Sequence, residues 1–395
     1  MTVHTSAPRL AAARSIPFAR TVIGPDARSA VAQVLESGWV TTGQQVADFE
    51  RELADQVGAA RGVAVSSCTA GIELALRGLH LPPGSRVLMT TNTFCGAAGA
   101  VTHAGLVPVL ADVDPWTAVP SEDTIRAAAR AVGGVAAMVA MHLGGNPVDV
   151  EAATAAAGIG LDHVIEDAAH ALGTTVGTRP VGSISRATCF SFYATKNLAI
   201  GEGGMVTTSD EEFAEVMLRT RLHGMSRDAW RRYTPGGSWR YDVADDGLKA
   251  NLTDVQAAIG RAQLRRFDAD QTRRREVAAR YDAQLSSLPW VSLPPRPVDG
   301  RHAWHLYAVR IHAGFPVSRD EVIDRLNERG IGSSVHFIPL HRLTWHVDHC
   351  VAPPDGFAGA DAVFATTLSL PFDQNLTDDD VDEVCAALWR IGGAR

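Results

Sequence analysis

Short apolar runs alternate with amphipathic segments from about residue 44 to residue 285. Val46, Phe49, Leu53 and Val57 recur at helical spacing, and a second helix is predicted over residues 72–79. Strand-like apolar runs occupy residues 62–66, 87–91, 107–113, 136–143, 163–167, 188–192 and 205–208. This repeated alternation is typical of an α/β fold, in which a mostly parallel sheet lies between helices.

The C-terminal part of the chain has a different pattern. A long helical pattern over residues 251–285 is followed by the proline-rich segment 293–297, a strand-like run over 305–311 and helices over 319–329 and 377–391. We therefore predict a large domain over residues 1–262 with an N-terminal arm over 1–25. Residues 263–395 are predicted to form a linking helix and a small α+β domain. Ser209 and Glu212 predict a capping box that starts the helix after the last large-domain strand.

Composition narrows the class of protein. The net charge of −8 argues against a nucleic acid or an acidic membrane surface as a partner. No run of 18 apolar residues is present, and the first 19 residues lack the apolar core of a signal peptide. The five cysteines show no paired spacing, so we expect reduced thiols and a cytoplasmic location. We expect no metal site, because the 14 histidines include no metal-binding motif.

Lysine is nearly absent from the chain. Of 36 basic residues only Lys196 and Lys249 are lysines, and the rest are arginines. A lysine retained in such a sequence is a candidate for chemistry that a guanidinium cannot perform, namely losing its proton and attacking a carbonyl to form a Schiff base. Lys196 follows a strand-like run and precedes a glycine-rich turn at 201–204, so we expect it to project from a rigid edge.

Three further features accompany Lys196. Ser67 and Thr69 lie in a small-residue turn between a strand and a helix, where free N–H groups can bind a phosphate, and Ser191 offers another hydroxyl. Two adjacent carboxylates, Glu166 and Asp167, end an apolar strand. Because strand residues alternate in direction, only one of them can serve a buried site, and the pattern does not choose between them. Phe94 follows another strand and could stack on a flat ring, although a core position is the more typical one for a single phenylalanine.

These parts are arranged as needed to hold pyridoxal 5′-phosphate at three points, and the chain resembles the DegT/DnrJ/EryC1/StrS family of sugar aminotransferases. The resemblance runs from about Gly38 to Ile391, nearly the whole chain. The motifs that carry it occupy residues 37–43, 67–70, 93–94, 166–170, 191–197, 201–204, 252–260, 339–341 and 368–371. It implies a fold-type I aminotransferase fold.

The resemblance also implies roles for individual residues. Lys196 would form the Schiff base with the cofactor, and Asp167, not Glu166, would pair with its ring nitrogen. His170 would lie beside the ring, near its phenolic oxygen or Asp167, and Phe94 would cover one ring face. The phosphate would be bound by Cys68 and Thr69 through their backbone and by the Ser191 hydroxyl.

Members of the family close the active site with a loop from the neighbouring subunit. The corresponding segment here is residues 247–251, in which Leu248 and Ala250 replace the usual aromatics. The resemblance therefore implies a homodimer with shared active sites, in which Lys249 or Asn251 reaches the phosphate. The chain also departs from the family at Cys68, where glycine is common, and at Gly144, where an aromatic is usual.

The activity implied by the resemblance is transfer of an amino group from glutamate or glutamine to a nucleotide-linked keto-sugar. The product would be an amino sugar for an antibiotic or a surface polysaccharide. The alternatives are an aminotransferase for a keto-cyclitol or other non-nucleotide ketone, a pyridoxal-phosphate-dependent sugar dehydratase, and a regulatory protein that binds the cofactor without catalysis.

Overall fold

The computed structural model describes residues 15–226 and 241–393. Most of the predicted N-terminal arm, residues 1–14, lies outside the described residues. All five cysteines are free thiols. Among the described residues, no helix is both long and apolar enough to span a bilayer.

Thirteen strands and thirteen α-helices alternate along the described chain. The strands are β1 (Arg61–Val65), β2 (Arg86–Thr90), β3 (Val107–Ala111), β4 (Ala137–Met141), β5 (Val164–Asp167), β6 (Thr175–Val176), β7 (Arg179–Pro180), β8 (Ala187–Ser191), β9 (Gly204–Thr208), β10 (Val291–Ser292), β11 (Gly300–Arg301), β12 (Tyr307–Ile311) and β13 (Thr367–Leu370). The helices are α1 (Pro25–Ser37), α2 (Gln44–Val57), α3 (Cys68–Gly78), α4 (Cys95–His103), α5 (Glu122–Ala131), α6 (Val150–Ala157), α7 (Glu211–Thr220), α8 (Asp254–Leu264), α9 (Phe267–Leu285), α10 (Arg319–Asn327), α11 (Thr344–His349), α12 (Ala358–Thr366) and α13 (Asp378–Ile391).

The main sheet has seven strands in the order β1-β9-β8-β5-β4-β2-β3. The pairs from β3 to β8 are parallel, whereas β9 runs antiparallel to both β8 and β1. The prediction of a mostly parallel sheet is therefore confirmed. Because two antiparallel pairings follow one another, β1 runs in the same direction as β5 and β8, so these three strands end at the same edge of the sheet.

Both faces of this sheet are buried, which explains why its strands are continuous apolar runs. Val63 and Val65 of β1 pack with α3 and α4 on one face. Ala64, between them, points to the other face and packs with Phe49 and Leu53 of α2. The two faces thus alternate along each strand, as the two-residue period of a strand requires.

A second, three-stranded sheet has the order β10-β12-β13 and packs against α9, α10 and α13. Tyr307, Val309 and Ile311 of β12 face this smaller core. Ala308 and Arg310 alternate with them and point away from it, toward a cavity also lined by residues after β3 and β4. The predicted domain boundary at 262/263 lies within α8 and stays a prediction.

Two local predictions are wrong in detail. Helix α7 is capped by Asp210, whose carboxylate accepts a hydrogen bond from the Phe213 N–H at 2.8 Å, and not by Ser209. The long helical pattern over residues 251–285 forms two helices, α8 and α9, with Arg265 and Arg266 between them. By contrast, the last helix begins as predicted, and Thr377 and Asp380 form a capping box at its start.

Candidate active site

The candidate site lies where β1, β5 and β8 end together. The turn after β1 begins helix α3 with Cys68 and Thr69, β5 ends in Asp167, and β8 ends in Ser191. Lys196 follows β8 in a tight turn, in which its N–H donates to the Tyr193 carbonyl at 2.9 Å. Ligand sites of parallel sheets form at the carboxyl ends of the strands, so this edge is the expected position for a site.

A cavity of about 470 Å³ at this edge contains Lys196. Seven of the sequence-predicted residues line it, namely Cys68, Thr69, Phe94, Asp167, His170, Ser191 and Lys196. Two other clefts, of about 500 and 550 Å³, contain no lysine. Within the described residues, no cluster of three or more histidine, cysteine, aspartate or glutamate side chains is arranged to hold a metal ion.

Lys249 and Asn251 do not line this cavity. The ammonium group of Lys249 donates to the Asn251 side-chain oxygen, and the Asn251 amide donates to the Thr42 hydroxyl at 2.6 Å. The structure therefore places this pair outside the site of its own chain. A contribution to a neighbouring chain's site stays a prediction.

Lys196 is set apart from an ordinary surface lysine by its burial. Burial lowers the pKa of its ammonium group from 10.5 to about 8, although the nearby Cys68 and Asp167 oppose this shift. Desolvation disfavours the charged form of an amine. At pH 7 roughly a tenth of Lys196 is therefore unprotonated, far more than for an ordinary lysine, and this is the form that can attack a carbonyl carbon.

The two adjacent carboxylates of β5 have different environments. Asp167 lines the cavity, and its Oδ1 accepts from the Ala169 N–H at 3.1 Å. Burial raises the pKa of Asp167, and the nearby positive charge of Lys196 opposes this shift. The Cys68 sulfur lies 3.7 Å from the same oxygen and 3.3 Å from the Cys189 carbonyl. Because burial raises the pKa of Cys68 well above 9, this group is a thiol that donates rather than a competing anion.

Glu166 points to the other face of the sheet and is fully buried in a closed network. Its carboxylate accepts from His142 Nε2 at 2.8 Å, the Ser185 hydroxyl at 2.7 Å and the Thr188 hydroxyl at 3.0 Å. His142 Nδ1 accepts from the Val148 N–H at 3.0 Å. His142 therefore donates to Glu166 through Nε2 and accepts through Nδ1, and these two hydrogen bonds fix the orientation of its ring.

The start of α3 has the features of a phosphate cradle. Ser67 caps the helix by accepting from the Ala70 N–H at 3.1 Å, while the N–H groups of Cys68 and Thr69 have no partner within the described residues. Glycines keep the space around this turn open. A Cβ atom at Gly96 would lie 2.7 Å from the Thr69 hydroxyl, and one at Gly204 would lie 2.7 Å from the Cys68 nitrogen.

His170 presents a hydrogen-bond donor to the cavity. Its Nδ1 accepts from the Gly144 N–H at 3.2 Å, so the proton lies on Nε2. Burial lowers the pKa of His170 well below 6.5, and the ring is neutral. The Phe337 ring stacks on His170 with centroids 5.8 Å apart.

Among the lining residues that were not predicted from the sequence are His305, His336 and Phe337. The His305 ring lies 4.2 Å from that of His170, and its Nδ1 lies 3.1 Å from the Asn197 side-chain oxygen. His336 precedes the 339–341 motif by three residues, which is the nearest signal in the sequence. Nothing in the pattern around His305 distinguishes it from a core histidine.

These groups fit pyridoxal phosphate. An amine with a lowered pKa suits its aldehyde, a buried carboxylate suits its ring nitrogen, an N–H donor suits its phenolic oxygen, and a helix start suits its phosphate. Phe94 lies at the first turn of α4 and is 57% exposed at the opening of the cavity, where it could cover one ring face. The Ser191 hydroxyl accepts from the Tyr193 N–H at 3.4 Å and faces the same cavity.

Comparison with known proteins supports this interpretation. The model of the DegT/DnrJ/EryC1/StrS aminotransferase family matches residues 22–389. The spore coat polysaccharide biosynthesis protein SpsC of Bacillus subtilis is 44% identical over 380 residues, which is 95% of this chain and 97% of SpsC.

Solved structures match over almost the whole chain. The aminotransferase TlmJ from Streptoalloteichus hindustanus is 32% identical with a TM-score of 0.84, covering 96% of this chain and 99% of TlmJ. Sugar aminotransferase CalS13 from Micromonospora echinospora is 30% identical with a TM-score of 0.81, covering 94% of this chain and 99% of CalS13. Spr1654 from Streptococcus pneumoniae in its PLP form is 28% identical with a TM-score of 0.87, covering 96% and 99%.

Proposed function

The chain belongs to the DegT/DnrJ/EryC1/StrS aminotransferase family as a pyridoxal-phosphate-dependent sugar aminotransferase, and we propose that it aminates a nucleotide-linked keto-sugar. The amino donor in this proposal is glutamate or glutamine, and the product is an amino sugar for a polysaccharide or another glycosylated product. The observation that carries the proposal is the cavity itself, in which a lysine with a pKa of about 8 lies beside a buried aspartate and a phosphate cradle.

The roles of the site residues follow from their positions. Bound in this cavity, pyridoxal phosphate supplies an electron-accepting ring through which an amino group can be exchanged with a ketone. We assign to Lys196 Nζ the covalent attachment of the cofactor and the transfer of a proton at the reacting carbon. Asp167 holds a proton on the ring nitrogen, and the Nε2–H of His170 donates to the phenolic oxygen. Phe94 covers one face of the ring.

The phosphate is assigned to the Cys68 and Thr69 N–H groups and to the Ser191 hydroxyl. Lys249 and Asn251, which are outside the cavity of their own chain, are assigned to the phosphate of a partner subunit's site. The enzyme is accordingly proposed to be a homodimer, the commonest closed oligomer.

The proposal that the acceptor carries a nucleotide is supported by an aromatic side chain at the opening of the cavity. Tyr193 lines this cavity and is 47% exposed. An exposed aromatic ring at a cavity mouth is suited to stack against a flat base. The name of SpsC refers to polysaccharide synthesis, which favours a sugar acceptor over a cyclitol.

The test is an acceptor screen by mass spectrometry. The enzyme, with glutamate or glutamine, is incubated with keto-sugar nucleotides, the matching free keto-sugars and keto-cyclitols, and the Lys196→Arg variant is the control. We expect conversion of a ketone to an amine only for a nucleotide-linked sugar. If a cyclitol or a free sugar is aminated and no nucleotide-linked sugar is, the proposed acceptor is wrong. If a sugar loses water without gaining an amino group, the enzyme is a dehydratase.

A further inference from the structure

Arg310 on β12 is a buried cation with no partner in the part of the chain that the structure describes. Its side chain is 8% exposed and makes no hydrogen bond or ion pair within residues 15–226 and 241–393. Arg319 in the same small sheet region is equally buried, yet it donates to Asp320 at 2.5 Å and to the Thr367 carbonyl at 2.7 Å. Burial of a charged group without a partner is costly, so an unpaired guanidinium requires an explanation.

The nearest acidic group does not neutralise Arg310. Asp114 acts on it only at longer range, and its carboxylate already accepts from the Trp116 N–H at 2.9 Å and the Thr117 N–H at 2.7 Å. Burial lowers the pKa of Arg310 to about 10, so the group still carries its charge at neutral pH. Arg310 thus holds a positive charge at neutral pH in a site where none of the described residues places an anion within ion-pair distance.

Arg310 lines a small cavity of about 40 Å³ whose lining includes no aspartate or glutamate. Asn146, which is 6% exposed, also lines it, and its carboxamide has no hydrogen-bond partner among the described residues. His302 accepts the Trp304 N–H on Nδ1 at 2.9 Å, which leaves Nε2–H as a donor. The cavity therefore offers N–H donors and suits a group that only accepts, such as a carboxylate.

This cavity adjoins the Lys196 cavity. Leu306 and His336 line both spaces, so the two cavities share part of their walls. A volume of about 40 Å³ is far below the 300–1,000 Å³ that is typical of sites for whole small molecules. It has room for one end of a ligand whose remainder occupies the larger cavity.

We propose that Arg310 binds a carboxylate of the amino-acid donor while the donor's amino group reaches Lys196. This inference rests on the proposed function, because it presumes that an amino acid supplies the nitrogen. Glutamate has two carboxylates that could occupy the site, the α-carboxylate and the side-chain carboxylate. An amino acid without a side-chain carboxylate distinguishes them.

The test follows the donor half-reaction alone, without a sugar. Glutamate, glutamine and alanine are titrated separately into the enzyme loaded with pyridoxal phosphate, and the absorbance of the bound cofactor is recorded. For Arg310→Met we expect the glutamate concentration at half-maximal change to rise about tenfold to a hundredfold, because a charge-assisted contact is lost. For Arg310→Lys this glutamate concentration should lie between the values of the wild type and Arg310→Met. Arg319→Met is the matched control for losing a buried arginine, and its glutamate response should match that of the wild type.

Comparison of the three donors shows which carboxylate of glutamate contacts Arg310. A loss confined to glutamate places the side-chain carboxylate at Arg310, and an equal loss for all three donors places the α-carboxylate there. An unchanged glutamate response in a folded Arg310→Met, or an equal loss in Arg319→Met, overturns the inference. A wild-type enzyme that responds to no amino acid contradicts the proposed function instead.

A second measurement needs no variant. Glutarate, which has two carboxylates and no amino group, should compete with glutamate for the wild-type loaded enzyme, and its neutral analogue glutaramide should not. Calorimetric titration of glutarate gives the same comparison as a binding constant. Equal competition by both compounds would contradict a cationic carboxylate site.

Discussion

The two regions that hold the chain's only lysines differ in nearly every physical respect. Lys196 is enclosed at the carboxyl edge of the main sheet, beside Asp167, and burial lowers its pKa to about 8. Lys249 is exposed in a short segment before α8 and is hydrogen-bonded to Asn251. The comparison teaches that one residue type occupies two environments, an enclosed one in which burial favours loss of the proton and a surface one in which the amine is hydrogen-bonded to Asn251.

The largest expected difference comes from replacing each lysine with arginine. Lys196→Arg keeps the charge but cannot bond covalently to the cofactor, so we expect loss of the cofactor's characteristic absorbance and of all detectable activity. Lys249→Arg keeps a cation at the surface and should retain most of the activity. After borohydride reduction, mass spectrometry of wild-type peptides should find the cofactor on Lys196. A stable adduct on Lys249 would show that Lys249, and not Lys196, binds the cofactor covalently.

The next effect tests the carboxylate beside Lys196. Asp167→Asn should still bind the cofactor but slow turnover on the order of a hundredfold or more, because a neutral amide no longer holds a proton on the ring nitrogen. Glu166→Gln should be milder for turnover, since Glu166 faces the His142 network instead of the cavity. Steady-state rates with absorbance spectra check both variants. A more severe loss in Glu166→Gln would contradict the assignment.

The region around Lys249 is tested by mixing chains. One chain carries Lys196→Ala and the other carries Lys249→Ala plus Asn251→Ala, and each alone should be nearly inactive. In a mixed dimer with shared sites, one site receives both lesions and the other receives none. Activity should therefore approach half of the wild-type value per mixed dimer. If isolated mixed dimers recover nothing, the segment acts within its own chain.

The smallest effect concerns the pKa of Lys196. In the protein freed of cofactor, the unprotonated fraction of this amine increases as the pH rises toward about 8 and levels off above it. The rate of recapturing pyridoxal phosphate should follow, changing about tenfold per pH unit below that value. Because Asp167 raises this pKa, Asp167→Asn should move the midpoint to lower pH. A midpoint near 10.5 would mean that Lys196 is not buried in solution.

Most of the main sheet could be predicted because its strands are short, buried on both faces and therefore continuously apolar. Helix α2 was predicted because its apolar residues recur at helical spacing, whereas α5, which also has one apolar face, was not predicted. Helices α4 and α6 were missed, because Cys95–His103 and Val150–Ala157 consist mainly of small residues with little contrast between faces. The Ser209 cap was wrong by one position, since the next residue, Asp210, also has a side chain able to cap the helix.

The sequence by itself determined which residues are suited to the chemistry, since the loss of nearly all lysines marks Lys196 and the motif at 166–170 marks a pair of carboxylates. Only the tertiary structure decided which carboxylate faces the cavity. Strand alternation places Glu166 and Asp167 on opposite faces of β5, but only the packing of the sheet shows which face carries the cavity. It alone placed His305 and His336 beside His170, and it alone left Arg310 buried without a partner among the described residues. Contacts between residues more than a hundred positions apart have no local pattern, so burial, pKa and pairing are properties of the folded chain.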